Sequence, residues 1–438
     1  MNPPEYPKAI MTLLPVQAAE VGRVAAYCDR ESKANSSDEC TFNVHAVRWL
    51  ESLGCLEPGG APKRLRWNAS GDNVRSPSLL RMLGERVEAL VEITLEGSPV
   101  KLVTAFEQRR GDAERFIFSG RGPTPQSALA GCLFEAIETF SALWSTVAET
   151  LEGHECVEAT SVTTGGQVRL PLHRVFLELP AALRPADSPA CGSNGLAAGR
   201  DHEEAATAAL LELIERDAVA LWWRSRYRAP SYIGQSRAGH AAIASIAACL
   251  LSKGRRLQLL DLTHDIGVPV VLARSTDEQG RRPLIGAAAD PFADDAAYGA
   301  ASELLQMEAN IALVAQNVAR QGTGGLPAKT RQLWDWHCRA NLETHPFLVP
   351  DDAGRRHGCR RIASSSAGIG DLLAGAGVDA ALVRLADPGS GYPVVRAVSD
   401  ALMDLQTTNG RAEAVPQKLG LLDPKAARQP LNDAVIPL

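Results

Sequence analysis

Three segments of this 438-residue chain carry acids where acids are costly. They read FEAIETF, with Glu135 and Glu138; LELIER, with Glu212, Glu215 and Arg216; and SELLQ, with Glu303 and Gln306. In each, the two polar side chains stand at i and i+3, which on a helix puts them on one face. Leu, Ile, Phe and Ala fill the other positions, so the carboxylates would sit half-buried among apolar groups. A single ExxE pair is ordinarily a solvated helix face, but three copies in strongly apolar helices are not explained that way. Convergence on cations would relieve the cost. Hard divalent ions such as Mg2+ take carboxylate oxygen and are commonly shared with substrate phosphates. Arg216 could neutralise part of the acid or hold a phosphate.

The flanking sequence shows which elements must carry these residues. The stretch SGRGPTPQSALAGCLFEAIETFSALW is a glycine-rich turn opening a long helix, with Thr124 as N-cap and Pro125 at the first helical position. A second long helix starts at Asp201, which can cap it while Glu204, three residues on, reaches back to the cap. Glu204 is equally placed for a role at a metal. The third helix runs through DDAAYGAASELLQMEANIALVAQNVA. Between them, ALVEITLEGSPVKLVTAFE reads as two strands around a turn, and RFIFSG, LQLLDL, VPVVLARS, PLIGAAAD, AALVRLAD and YPVVRAVS read as further strands. The fold class expected is therefore mixed α/β, with sheets packed against long glutamate-bearing helices. Two Trp residues, Trp222 and Trp223, are expected in the core.

Residues 1–62 read as a helical N-terminal extension, with helices near VQAAEVGRVAAYC and NVHAVRWLESLG, and residues 63–438 as the catalytic domain. The last thirty residues, NGRAEAVPQKLGLLDPKAARQPLNDAVIPL, are punctuated by proline and read as an extended tail.

Composition narrows the function classes. A net charge of -6 with scattered basic residues gives no pull toward nucleic acid or an anionic membrane. The nine cysteines are widely and irregularly spaced, without a CxxC pair or zinc-like spacing, which suits reduced thiols and a cytoplasmic protein. No signal peptide or stretch of about 18 apolar residues is present. Neither a GxxxxGK[ST] loop nor a GxGxxG between strand and helix occurs, so any nucleotide must be held by other means.

Four separated blocks, GRGPTPQSALAGCLFEAIETFS, SNGLAAGRDHEEAATAALLELIERDAVALWW, LQLLDLTHDIGVPVV and GAAADPFADDAAYGAASELLQ, resemble in order and spacing successive motifs of the YcaO superfamily. The resemblance covers roughly residues 65 to 430. It implies ATP and Mg2+ held by glutamate-bearing helices, and phosphorylation of an amide-derived oxygen of a peptide. By this resemblance Glu135 and Glu138 are the first metal pair and Glu212 and Glu215 the second. Glu204, Arg216, Arg121, Glu138 and Glu303 line the nucleotide, and Glu135, Glu215 and Arg216 serve catalysis. Arg121 stands where many members have Lys. Thr139 stands where an Arg often follows the first pair, and RSPSLLR (75–81) is the candidate for the amino-terminal ATP contacts.

The hairpin VEATSVTTGGQVRLPLHRVF and the C-terminal run resemble the azoline-forming branch, which converts Cys, Ser or Thr of a ribosomally made precursor peptide into thiazoline or oxazoline. The resemblance further implies a homodimeric core and a separate leader-binding partner related to ubiquitin-activating enzymes, because residues 1–62 are too short for a fused peptide clamp. Where azoles are the product it adds a flavin-dependent azoline dehydrogenase. A thioamide-forming enzyme and a non-catalytic scaffold or peptide-binding subunit are the alternatives.

Overall fold

The computed structural model describes residues 9–17, 84–108, 116–351, 365–422, 431–432 and 436–437, apart from positions 187, 235, 387, 388 and 407. Three antiparallel sheets organise it. The first, in the order β1-β2-β3-β4, is formed by Ala9–Gln17, Val87–Leu95, Lys101–Glu107 and Ile117–Gly122. The first long helix, α1 (Pro125–Ala142), follows it and packs on β3 and β4. Next come β5 (Cys156–Ser161), β6 (Gln167–Pro171), β7 (Leu196–Ala198) and the second long helix, α2 (His202–Ser225). Helix α3 (Arg237–Leu251) leads into β8 (Arg255–Asp261), β9 (Val270–Asp277) and β10 (Leu284–Ala289), which form the second sheet in the order β10-β9-β8. The third long helix, α4 (Ala293–Gln321), is followed by α5 (Ala328–Arg339), α6 (Ser366–Ala376), β11 (Ala381–Leu385), β12 (Val394–Val398) and α7 (Arg411–Lys418). The remaining strands make the third sheet, β6-β5-β11-β12-β7.

The helices start where local chemistry dictates. The Thr124 hydroxyl accepts the N–H of Ser127 and the Ser127 hydroxyl accepts that of Thr124, a reciprocal box at the N-terminus of α1. Asp201 accepts the N–H of Glu204 at the start of α2. Glu204 reaches back past the cap, to the N–H of Arg200 instead of that of Asp201. Two glycines let helices approach strands closely. A Cβ on Gly120 would lie 2.0 Å from the carbonyl oxygen of Ala128, and one on Gly286 would lie 2.5 Å from the nitrogen of Leu304.

Three apolar cores separate the layers. Phe118, Leu133, Ile137 and Phe140 centre the one between α1 and the first sheet. Trp222 and Trp223 are fully buried and meet each other and Phe347 edge to face, as expected of core residues. Leu304, Leu305, Ala300 and Ala301 seat α4 against β9 and β10.

Two expectations need correction. Ala9–Gln17, inside the stretch expected to be a helical extension, is a strand that pairs antiparallel with β2 in the first sheet, and the helix expected near VQAAEVGRVAAYC overlaps it only at Val16 and Gln17. Its register runs from Ala9 opposite Leu95 to Gln17 opposite Ala89, and it forms the edge of that sheet. The remainder of residues 1–62, the boundary at 62/63 and the segment 75–81 lie outside the described residues. The C-terminal segment is not extended throughout, because Arg411–Lys418 is helical and packs on α2. Further on, Asn432 is tied to the last turn of α2: its N–H donates to the Arg224 carbonyl, and its side chain donates to the Trp223 carbonyl.

Candidate active site

The glutamates on the three long helices share one device. Glu135 Oε2 accepts the N–H of Ser119 on β4 at 2.6 Å. Glu212 Oε2 accepts that of Leu196 on β7 at 3.2 Å, and Glu303 Oε2 accepts that of Ala287 on β10 at 2.8 Å. In every case donor and acceptor are 16 residues apart. The chain therefore builds one unit three times: a strand, a tight turn, and a helix whose acid is held by the strand's backbone. Glu138, on the next turn of α1, crosses to the second unit and accepts the N–H of Ala198 on β7 at 2.8 Å. These bonds orient carboxylates that would otherwise have no reason to stay in an apolar interface.

The units converge. Burial is the main force raising the Glu135 carboxyl, to about 7; the Ser119 N–H and Arg121 oppose it, while Glu212 and Glu303 push it further up. Glu138 is raised well above the carboxylate range by burial, reinforced by Glu212 and Glu135. Burial likewise raises Glu212, against the pull of Arg216 and Arg396. Glu215 is pushed up to about 8 by burial, with Glu303 and Glu212 adding to it and Arg216 and Arg121 opposing. Acids from three separate helices thus feel one another's charge, which is the convergence the i, i+3 pairs called for.

Two cations lie among them. Arg216 spans Glu212 at 3.7 Å and Glu215 at 3.5 Å, loose contacts that leave its buried Nε without an acceptor. Burial opposes its charge, but Glu215, Glu212 and Glu303 together hold it protonated. Arg121, on β4, donates through Nη1 to the Gln306 side chain at 3.3 Å. The amide in the third unit therefore tethers an arginine where the other two units present a second acid.

The set has more negative than positive charge, and every donor is a hard carboxylate oxygen, which suits Mg2+. Among the described residues no three acids, histidines or cysteines are gathered tightly enough to close a cation site by themselves. Mg2+ itself keeps waters and phosphate oxygens and uses only one or two carboxylates per ion.

One expected residue is not brought to the cluster. Glu204 lies two turns upstream of Glu212, about 12 Å along the axis, and pairs with Arg200 at 2.8 Å in an exposed position. The Arg200 side-chain hydrogen bond holds its pKa down, the opposite of the buried glutamates. One neighbour had not been anticipated. Arg396, in the middle of β12, is 4% exposed and is the register partner of Leu196, the residue whose N–H holds Glu212. Its signal in the sequence is of the same kind as that of the glutamates: one charge inside the apolar run YPVVRAV.

Among the described residues no helix is long and apolar enough to cross a membrane. The family model described as YcaO cyclodehydratase, ATP- and Mg2+-binding, matches residues 146–402. An uncharacterized protein of Methanothermobacter thermautotrophicus is 27% identical over 249 residues, covering 48% of this chain and 63% of the relative. A heterocyclase in complex with substrate and cofactor superposes with a TM-score of 0.65 at 22% identity, covering 80% of this chain and 55% of that one. YcaO from Methanopyrus kandleri, bound with AMPPCP and Mg2+, superposes at 0.53 and 20% identity, over 80% of this chain and 88% of that one. The match thus spans less than two thirds of the first two of these relatives. The fold is that of the two solved structures, and with its family match over more than half its length the chain belongs to the YcaO family.

Proposed function

We propose that the chain is the ATP- and Mg2+-dependent cyclodehydratase subunit of a peptide-modifying complex, converting Cys, Ser or Thr of a ribosomally made precursor into thiazoline or oxazoline. The observation that carries this reading is the convergence of Glu135, Glu138, Glu212 and Glu215, each raised by burial and short of positive charge. The family match to an ATP- and Mg2+-binding cyclodehydratase supports it, as does the likeness to a heterocyclase determined with substrate and cofactor.

Magnesium, when bound, neutralises phosphate charge, and in phosphoryl transfer that neutralisation and positioning do most of the work. The two glutamate pairs would hold the ions, and the backbone N–H groups of Ser119, Ala198 and Leu196 keep three of those carboxylates aimed. Arg216 sits between the second pair with a donor to spare and would meet a phosphate oxygen. Arg121, tethered by Gln306, would meet another. Glu303 acts as the third unit's clasp and sets the local field around Glu215.

In the reaction, the peptide's thiol or hydroxyl adds to the preceding carbonyl carbon, and the former carbonyl oxygen takes the γ-phosphoryl group of ATP. Phosphate then leaves with that oxygen, the amide nitrogen loses its proton, and the C=N bond of the azoline forms. The net change is loss of one water from the peptide for one ATP hydrolysed. The precursor peptide, a leader-binding partner of the ubiquitin-activating-enzyme type, a flavin-dependent azoline dehydrogenase and a homodimeric core complete the proposed assembly.

The test is to incubate chain, partner, precursor and Mg·ATP and weigh the peptide. A loss of about 18 Da per modified residue is expected, as the stoichiometry of water loss by phosphoryl transfer requires. A gain of about 16 Da, sulfur for oxygen at the same activated carbonyl, would replace this reading with thioamide formation. ATP turnover no higher than in Glu215→Gln would replace it with a scaffold role.

A further inference from the structure

The fold shows how it treats a buried arginine that is purely structural. Arg255, 8% exposed, gives Nε to Glu308 at 2.7 Å and Nη2 to both the Ser275 hydroxyl and the Arg282 carbonyl, each at 2.8 Å. Its charge and its donors are answered.

Arg396 is buried more deeply and answered far less. It stands between Val395 and Ala397 in a strand with no exposed residue. Nη2 donates to the Gly192 carbonyl at 2.7 Å, while Nε and Nη1 are buried with no acceptor. Among the described residues it forms no ion pair. Desolvating a guanidinium and leaving two of its three nitrogens unsatisfied is a net cost that folding alone does not repay. The position of the residue gives the cost a purpose. Arg396 pairs across the β7/β12 ladder with Leu196, whose N–H holds Glu212. Arg174, near enough to oppose the Arg396 charge, is matched by Asp400 and reaches the Ser399 carbonyl. Arg396 therefore stands close enough to Glu212 to feel its charge, with two donors unanswered, and the glutamates beyond it are short of positive charge. A ligand joining an anionic chain to divalent cations would satisfy both.

We propose that Arg396 is a phosphate-binding residue of the nucleotide site, giving Nε and Nη1 to oxygens of the ATP phosphate chain whose magnesium ions rest on the glutamates. This rests on the ATP reading above. It assigns to β12, a strand carrying none of the acidic motifs, direct contact with the nucleotide.

The experiment titrates the full chain, and its Arg396→Gln and Arg396→Lys variants, calorimetrically with Mg·ATP, Mg·tripolyphosphate and adenosine. Thermal midpoints without ligand are measured alongside. The glutamine variant should lose about 10- to 100-fold in affinity for ATP and tripolyphosphate, the size of a charge-assisted pair of hydrogen bonds. Adenosine binding should be unchanged, and the lysine variant should fall between. The ligand-free midpoint should stay or rise, because an unanswered guanidinium is removed. Folded variants that bind tripolyphosphate like the wild type would overturn the assignment while leaving the ATP reading intact. Equal losses for adenosine and tripolyphosphate would show a structural role and overturn it too. If the wild type binds no ATP, the ATP reading itself fails and this assignment falls with it. Should Arg396→Gln not fold, the lysine variant decides by the same ratio of tripolyphosphate to adenosine affinity.

Discussion

Two acidic clusters share helix α2, and their nearest members, Glu215 and Asp217, are only two residues apart. Glu212 and Glu215 face the other glutamates, short of cations and raised by burial. Asp217 is fully buried yet completely answered: Arg411 donates Nε and Nη2 to it, the Met403 N–H donates at 2.8 Å, and His264 Nε2 lies 3.4 Å away. Arg411 also reaches Asp265, which accepts from His264 and faces Lys418. Burial works against ionisation of Asp265, but His264 and Arg411, with Lys418, carry it down to about 2. Depth of burial is thus a poor guide to purpose. The difference lies in whether the protein supplies the counter-charge or leaves it for a ligand.

The same amide substitution should separate the two clusters. Glu215→Gln is expected to lower ATP turnover in the reconstituted complex by about 100-fold or more, the scale of losing a preorganised electrostatic contact. Its metal-free stability should change little, since burial already raises the Glu215 carboxyl to about 8 and Arg216, its loose partner at 3.5 Å, keeps Glu212. A fall in both would erase the distinction. Asp217→Asn should do the reverse, costing on the order of 2–3 kcal/mol in a denaturant titration, because Arg411 loses its anion on α2 and keeps only Asp265. It should impair turnover only through the folded fraction.

pH sharpens the contrast. The folded pKa of Glu135, about 7, lies above its ordinary value of 4.5, so the folded state binds more protons than the unfolded one across that window. Metal-free stability should therefore fall as pH rises from about 4.5 to about 7, by on the order of 3 kcal/mol for this group. Glu135→Gln should flatten that slope, and Mg2+ should stabilise more at pH 8 than at pH 6, with proton release on binding. Asp265 has the opposite sign. Its stabilisation is present above its ordinary value of 3.8 and is lost only as pH falls toward 2, so it contributes no slope in the neutral range. A wild-type slope unchanged in Glu135→Gln would sink the assignment. The smallest effect should come from Lys418→Ala: its side chain is 63% exposed and 3.7 Å from Asp265, worth under about 1 kcal/mol by thermal melt.

The long helices and their caps were legible because they are local. Thr124, Pro125 and Asp201 act within a few residues of themselves, and apolar periodicity marked the faces. The need of Glu135, Glu138, Glu212 and Glu215 for partners was legible too, as charge in apolar surroundings. The 16-residue interval from strand N–H to helix carboxylate was present in the sequence but carried no meaning until the turn brought Ser119, Leu196 and Ala287 over their helices. Strand Ala9–Gln17 was not foreseen in the N-terminal extension because its apolar run is broken by Pro15 and keeps no clear period, and only pairing with β2 makes it a strand. Arg411–Lys418 was misread because Pro416 argues locally against a helix that packing on α2 secures.

By itself the sequence determined which side chains could not be left alone: glutamates in leucine-rich helices, and an arginine in a valine-rich strand. Residue type and spacing fix desolvation cost, and that cost is local. Only the tertiary structure decided who answers whom. It gave Asp217 an arginine from nearly two hundred residues away, set Glu204 apart with Arg200, left Glu215 only a loose contact with Arg216 and left Arg396 with unanswered donors, because compensation depends on distance in space.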